Sequence, residues 1–402
     1  MSNSYAIRLL CFIAVFAAQQ AYAQLPEPTG SYCVSKSKIQ AIDKSRLERM
    51  TEEPNDFRRL ALDIWRPAEC KGDFSRYIHP EVLAAFKESR EIDESHGLSF
   101  IAKMKTHTRM TSNFAQETIP APVILFSHGS DMPIDLYTTF YESLASHGYA
   151  VVAISHTHYP AAAEFPYGEI VLKDNYLLNQ QFSEEAGKAF EKFLEFVKSD
   201  ASPDGKLIEA KRFFADFPTT ENTIGLAHDI SFVIDTLTAI NGTEGGLFYN
   251  KLDLENIGGF GHSFGGAAMG QALLLESRLK GAINLDGWQT GAVAGETFDR
   301  PFLYVRGGYE KPDALNEVIY VNAGEHFTRV KVEGAQHSNF SDLPLFSGSD
   351  NIFNIGELDP QKNVDILNDV ILGFFDQTLR SDNARWSLLD EKHPELVFEI
   401  GR

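Results

Sequence analysis

Gly261-His262-Ser263-Phe264-Gly265-Gly266 is the stretch that decides the fold. A serine with glycine two residues away on either side is written like a nucleophile elbow, a strained turn from a strand into a helix that lifts the hydroxyl above a sheet. Glycine is needed at those two positions because a Cβ would collide with the adjoining strand and helix. The pattern predicts an activated serine, and with it a hydrolytic enzyme.

Upstream of the elbow, residues 256–260 read as a buried strand, and Val123-Ile124-Leu125-Phe126 is a continuous apolar run suited to burial on both faces of a parallel sheet. Residues 149–155, 281–285, 301–305 and 328–332 read the same way. Helices are expected at 81–89, 137–147, 223–240 and 361–379, so strands and helices alternate. That alternation predicts a mostly parallel, doubly wound sheet with flanking helices, and the elbow makes it an α/β-hydrolase fold. A first strand is expected at 59–66, where Leu60, Leu62 and Ile64 alternate with Ala61, Asp63 and Trp65 until Pro67 stops it. Residues 24–58 read as an arm leading into a single catalytic domain, 24–402, whose core spans about 59–380. An insertion occupies about 160–222; within it Ala186, Phe190, Phe193 and Val197 share one helical face, and Ser183 is placed to cap the first turn. This segment is expected either to pack on the sheet or to form a partial cap over the site.

Residues 1–23 read as a secretory signal peptide, with Arg8, an apolar run from Leu9 to Ala18 and the cleavage pattern Ala21-Tyr22-Ala23. The run is too short to span a bilayer stably, and no other stretch reaches transmembrane length on this reading. A secreted or periplasmic chain follows, in which Cys33 and Cys70 are free to pair. Acidic residues outnumber basic ones 56 to 36, and the net charge of −20 repels nucleic acid and anionic lipid surfaces. The expected partner is a small-molecule or lipid ester, reached in solution or by transient contact with a lipid surface. No cofactor is expected: the sequence holds no calcium loop or zinc cluster, and His156 and His158 lack a third ligand nearby.

A serine hydroxyl needs a base to take its proton and a carboxylate to orient that base, in the chain order nucleophile, acid, histidine. Of the histidines after Ser263, His326 lies before the last core strand and His393 beyond the final helix. His337 follows that strand, where a loop can return it to the elbow. The acid stays open between Asp286, which closes the strand at 281–285, and Glu310 or Asp313 after the next strand. The oxyanion hole requires two backbone N–H groups; Phe264 supplies one by position, and Ser130 is nominated for the other. His262 is expected to pack or hydrogen-bond locally. Trp288 is a candidate pocket wall for an acyl or alcohol group, against ordinary core packing.

Taken in order, Phe126-Ser127-His128-Gly129, Leu144-Ala145-Ser146-His147-Gly148-Tyr149, the elbow, Leu285-Asp286-Gly287-Trp288 and His337-Ser338-Asn339-Phe340-Ser341-Asp342 resemble the plasma-type platelet-activating factor acetylhydrolase family over about residues 120–345. The resemblance implies Asp286 as the acid, hence a triad of Ser263, Asp286 and His337 with Phe264 and Ser130 as oxyanion donors. It also implies calcium-independent hydrolysis of short or oxidised acyl esters of phospholipids. The sequence departs from the family at Ser155-His156-Thr157-His158 and in the insertion. The alternatives are a general carboxylesterase, lipase or polyester or plant-polymer esterase, and a non-catalytic hydrolase-like binding protein.

Overall fold

Eleven strands form one sheet in the computed structural model, which describes residues 25–174, 183–309, 313–348 and 351–401. The signal segment and Glu310 lie outside the described residues. The strands in chain order are β1 Cys33–Leu47, β2 Phe57–Ala68, β3 Phe74–Arg76, β4 Lys105–Arg109, β5 Ala121–Ser127, β6 Ala150–Ser155, β7 Ala162–Glu164, β8 Ile170–Leu172, β9 Leu252–His262, β10 Leu279–Leu285, β11 Phe302–Gly307, β12 Phe327–Val332 and β13 Leu396–Ile400. The sheet runs β13-β12-β11-β10-β9-β5-β6-β2-β1-β4-β3, with β7 and β8 forming a separate pair. From β6 through β12 every neighbouring pair is parallel, while β2 and β13 join that block antiparallel. This is the expected α/β-hydrolase architecture.

The apolar runs explain the block. Val123 and Leu125 of β5 enter one core cluster and Ile124 and Phe126 the other, so successive side chains are buried on opposite faces. Each such aliphatic side chain stabilises the fold by about 1.5–3 kcal/mol. The helices α1 Pro80–Ser89, α2 Thr138–Ser146, α3 Glu184–Lys198, α4 Pro203–Asp216, α5 Pro218–Gly242, α6 Phe264–Leu275, α7 Ala314–Ile319, α8 Pro360–Arg380 and α9 Leu389–Lys392 complete the layers. Helix α5 is long and apolar enough to cross a membrane, which the sequence reading passed over. Its Leu226, Ile230, Val233 and Leu237 are instead buried in the core.

The core is wider than 59–380. The expected arm holds β1, fifteen residues paired antiparallel with β2, and a disulfide joins Cys33 to Cys70 across that hairpin. Strand β1 escaped detection because Lys36 and Lys38 interrupt its pattern; both reach the buried carboxylate of Asp63 on β2. At the other end, β13 pairs with β12 after α9, beyond the final helix that sequence reading allowed.

The insertion forms α3 and α4. Ser183 accepts a hydrogen bond from the Ala186 N–H at 3.2 Å, as a capping serine should. Phe193 stacks on Phe213 with ring centroids 4.2 Å apart, and Phe193 and Val197 enter the core beside the sheet. Phe190, one turn earlier, faces Trp288 at 5.4 Å. The segment thus packs on the core and reaches the loop that follows β10.

Candidate active site

The site is built where β5, β9, β10 and β11 end. Strand β9 finishes at His262, and Ser263 takes φ 55° and ψ −121° before α6 begins. A side chain there costs roughly 1–3 kcal/mol in backbone strain. Close packing leaves the chain no alternative: a Cβ on Gly261 would sit 2.3 Å from the Gly265 carbonyl oxygen, and one on Gly265 would sit 2.1 Å from that of Ser127. The Ser263 N–H donates to the Leu285 carbonyl at 2.9 Å, which ties the elbow to β10.

Asp286 leaves β10 with φ 53°, and its N–H donates to the Val305 carbonyl of β11 at 2.7 Å. The turn aims the carboxylate across the strand ends. Its Oδ1 accepts from the Gly307 N–H at 2.8 Å, and its Oδ2 accepts from the Tyr309 hydroxyl at 2.5 Å and from His337 Nδ1 at 2.7 Å. His337 Nε2 lies 3.0 Å from Ser263 Oγ. With Nδ1–H assigned to the carboxylate, the Nε2 lone pair faces the serine hydroxyl. His337 is 46% exposed while Asp286 is buried, so the chain of three leads from the interior to solvent. Asp313, the rival acid, lies elsewhere: it accepts from the Tyr304 hydroxyl at 2.5 Å and caps α7.

The His337 loop is held by its neighbours. Asn339 Oδ1 accepts from the N–H groups of Gln336 and Gly356 at 2.9 and 2.7 Å. Asp342 docks the loop onto the start of α2, accepting from the hydroxyls of Thr139 and Tyr77, and burial raises its carboxyl to about 6.

On the opposite side, the turn after β5 presses against Ser263. A Cβ on Gly129 would lie 3.3 Å from Ser263 Cβ. The Gly129 N–H is taken by the Tyr137 hydroxyl at 3.2 Å and the Asp131 N–H by the Tyr159 carbonyl at 3.1 Å. Ser130 follows Gly129 in the chain, between these two committed donors. The turn is anchored by His128, whose Nδ1–H donates to the Gly129 carbonyl at 2.7 Å while Nε2 accepts from the His156 N–H at 3.2 Å. Burial and the nearby His156 push the His128 imidazole down to about 3, so it stays neutral.

Trp288 is 54% exposed and leans on Phe190. Gly287 before it is packed under the elbow, since a Cβ there would lie 2.1 Å from the Ser263 carbonyl oxygen. The Trp288 ring is therefore at the surface rather than in the core. His156 and His158 are spoken for: His156 bonds Asp229 and Ser127, and His158 Nδ1 lies 3.2 Å from the Leu172 carbonyl. Sequence reasoning missed Tyr309, whose only signal is its position two residues past the end of β11. It also missed the partners of His262, which are Tyr137 on one ring nitrogen and the His337 carbonyl on the other.

A family model described as "Platelet-activating factor acetylhydrolase, isoform II" matches residues 80–184 and 244–396, leaving out α4, α5 and all of α3 but its first residue. The chain is 24% identical over 295 residues to a platelet-activating factor acetylhydrolase of Canis lupus familiaris, covering 69% of this chain and 62% of that protein. It is 25% identical over 292 residues to the Gallus gallus protein of the same name, covering 69% and 67%. A probable 1-alkyl-2-acetylglycerophosphocholine esterase of Arthroderma benhamiae is 20% identical over 411 residues, 93% of each chain. Among solved structures, a ferulic acid esterase from Streptomyces cinnamoneus superposes with a TM-score of 0.73 at 22% identity, over 94% of this chain and all of that one, a likeness of fold. With the family match spanning both sides of the insertion, the chain belongs to the platelet-activating factor acetylhydrolase family.

Proposed function

We propose that the protein is a serine-dependent carboxylic ester hydrolase working through an acyl-enzyme on Ser263. The observation that carries this reading is the unbroken chain Ser263 Oγ to His337 Nε2 at 3.0 Å and His337 Nδ1 to Asp286 Oδ2 at 2.7 Å, set on an elbow. His337 takes the serine proton as Oγ attacks the ester carbonyl, then returns it to the leaving alcohol. Water, deprotonated by the same imidazole, releases the acid. Asp286 fixes the tautomer and stabilises the imidazolium. The tetrahedral oxyanion is met by the N–H groups of Phe264 and Ser130, and these donors perform that task without a calcium ion.

Family membership supports a phospholipid carrying a short or oxidised acyl chain as substrate. Export fits the signal-like start and the Cys33–Cys70 disulfide, which belongs to an oxidising compartment. The second reading is a general carboxylesterase or a polymer esterase, favoured by the aromatic face of α3 meeting Trp288 in the very segment the family match omits. Ser263→Ala is expected to abolish turnover of short nitrophenyl esters; activity retained above the purification background overturns the assignment. Oxidised phospholipid, triglyceride and polymer substrates compared side by side separate the two substrate classes.

A further inference from the structure

We propose that His262 and Tyr137 form a positioning pair that locks the oxyanion turn to the loop carrying the catalytic base. The inference rests on the reading of Ser263 as nucleophile.

The residue before a nucleophilic serine invites the role of base, yet both ring nitrogens of His262 are committed away from Ser263. The Tyr137 hydroxyl donates to Nδ1 at 2.8 Å, and Nε2–H donates to the His337 carbonyl at 3.1 Å. The same hydroxyl accepts from the Gly129 N–H at 3.2 Å. Every hydrogen in the chain is assigned: Gly129 N–H to Tyr137 Oη, Oη–H to His262 Nδ1, Nε2–H to the His337 carbonyl. Of the two neutral tautomers only Nε2–H satisfies all three bonds, and burial, which holds this imidazole well below its ordinary range, disfavours the cation. Both side chains lie in the core, Tyr137 against Phe126 and His262 tilted against His337 with ring centroids 4.6 Å apart.

The chain joins segments distant in sequence. Tyr137 sits just ahead of α2, His262 ends β9, and His337 follows β12. A Cβ on Gly129 would lie 3.1 Å from His262 Nδ1 as well as 3.3 Å from Ser263 Cβ, so turn, ring and nucleophile touch. The oxyanion turn and the base therefore cannot shift relative to each other without stretching a buried hydrogen bond. Catalysis needs both within tenths of an ångström of the tetrahedral centre, and displacement of about 1 Å costs roughly a hundredfold in rate.

The test uses Tyr137→Phe, His262→Leu and the double variant, with turnover of a short nitrophenyl ester normalised to active sites titrated by a fluorophosphonate, so that misfolded protein does not count. Each single variant is expected to lose about ten- to a hundredfold in kcat with KM changed less than threefold, because the broken chain acts on the transition state. The double variant is expected to fall no further than the worse single, since either change already severs the link. Tyr137→Phe differs by one oxygen and decides the matter alone if His262→Leu does not fold. Unchanged kcat per titrated site, a loss carried by KM, or losses that multiply in the double variant overturn the proposal. Wild-type protein without turnover would instead overturn the hydrolase reading.

Discussion

Two serine, histidine and aspartate chains flank the turn at Gly129, with similar hydrogen bonds and opposite surroundings. In the first, Ser263 Oγ, His337 and Asp286 are linked at 3.0 and 2.7 Å. In the second, Ser127 Oγ lies 2.9 Å from His156 Nε2, and His156 Nδ1 lies 2.9 Å from Asp229 Oδ2. The second is sealed, with His156 at 0% exposure against 46% for His337. Ser127 ends an ordinary strand, whereas Ser263 is lifted at φ 55°. The carboxylates differ most. Asp286 receives a backbone N–H and a phenol, so its charge remains available to an imidazolium. Asp229 is paired with Arg58 at 2.6 Å and Arg46 at 2.8 Å, so its charge is already answered. Similar hydrogen-bond spacing therefore hides three differences, in access, in the elbow and in a carboxylate without an arginine partner, and on these rests the proposal of Ser263 as nucleophile.

The comparison breaks first at the acids. Asp286→Asn is expected to lower kcat by about 10⁴, as loss of the orienting carboxylate does in other triads. Asp313→Asn should stay within about threefold, since its carboxylate bonds Tyr304 and caps α7, and Glu310→Gln is expected to do the same. The reverse ranking, read in nitrophenyl ester turnover, returns the acid to the loop after β11.

Asp229 should fail differently. Burial raises its carboxyl, but Arg58, together with His156, overrides that and holds it well below the usual range. Asp229→Ala leaves Arg58 buried beside Glu48 alone and is expected to cost about 3–5 kcal/mol of stability in urea unfolding, with kcat per titrated site nearly unchanged. Because the folded carboxyl titrates below the unfolded one, this stabilisation is present above the unfolded value near 3.8 and is lost as pH falls further. A variant as stable as wild type at pH 7 contradicts this account of the buried chain.

Glu142 on α2 supplies the contrast of a buried carboxyl with no lysine or arginine salt bridge among the described residues. Its Oε1 accepts from the Thr108 hydroxyl at 2.6 Å, its Oε2 has no partner among the described residues, and burial raises it to about 7. The folded value lies above the unfolded one near 4.5, so stability linked to this proton is full below pH 4.5 and lost as pH rises through 7. Glu142→Gln is expected to raise Tm by about 2–5 °C at pH 8.5 relative to its effect at pH 4, where it leaves Tm unchanged. Equal shifts at both pH values remove the assigned cause.

The parallel block and the elbow were legible because their apolar runs and glycines state local requirements. Strand β1 was not, since Lys36 and Lys38 read as surface until Asp63 is known to lie beside them. The choice of Asp286 over Asp313 turns on the φ of 53° at the end of β10, which residue type does not announce. Tyr309, Tyr137 and Asp229 act through partners 23, 125 and 73 residues away, so only the assembled sheet reveals them.

The most direct test of the open and sealed chains is to treat the folded protein with a fluorophosphonate and locate the adduct by peptide mass spectrometry. The account predicts a single adduct, on Ser263, that disappears in Asp286→Asn at short times and persists in Ser127→Ala. No adduct on Ser263, or one on Ser127, contradicts it.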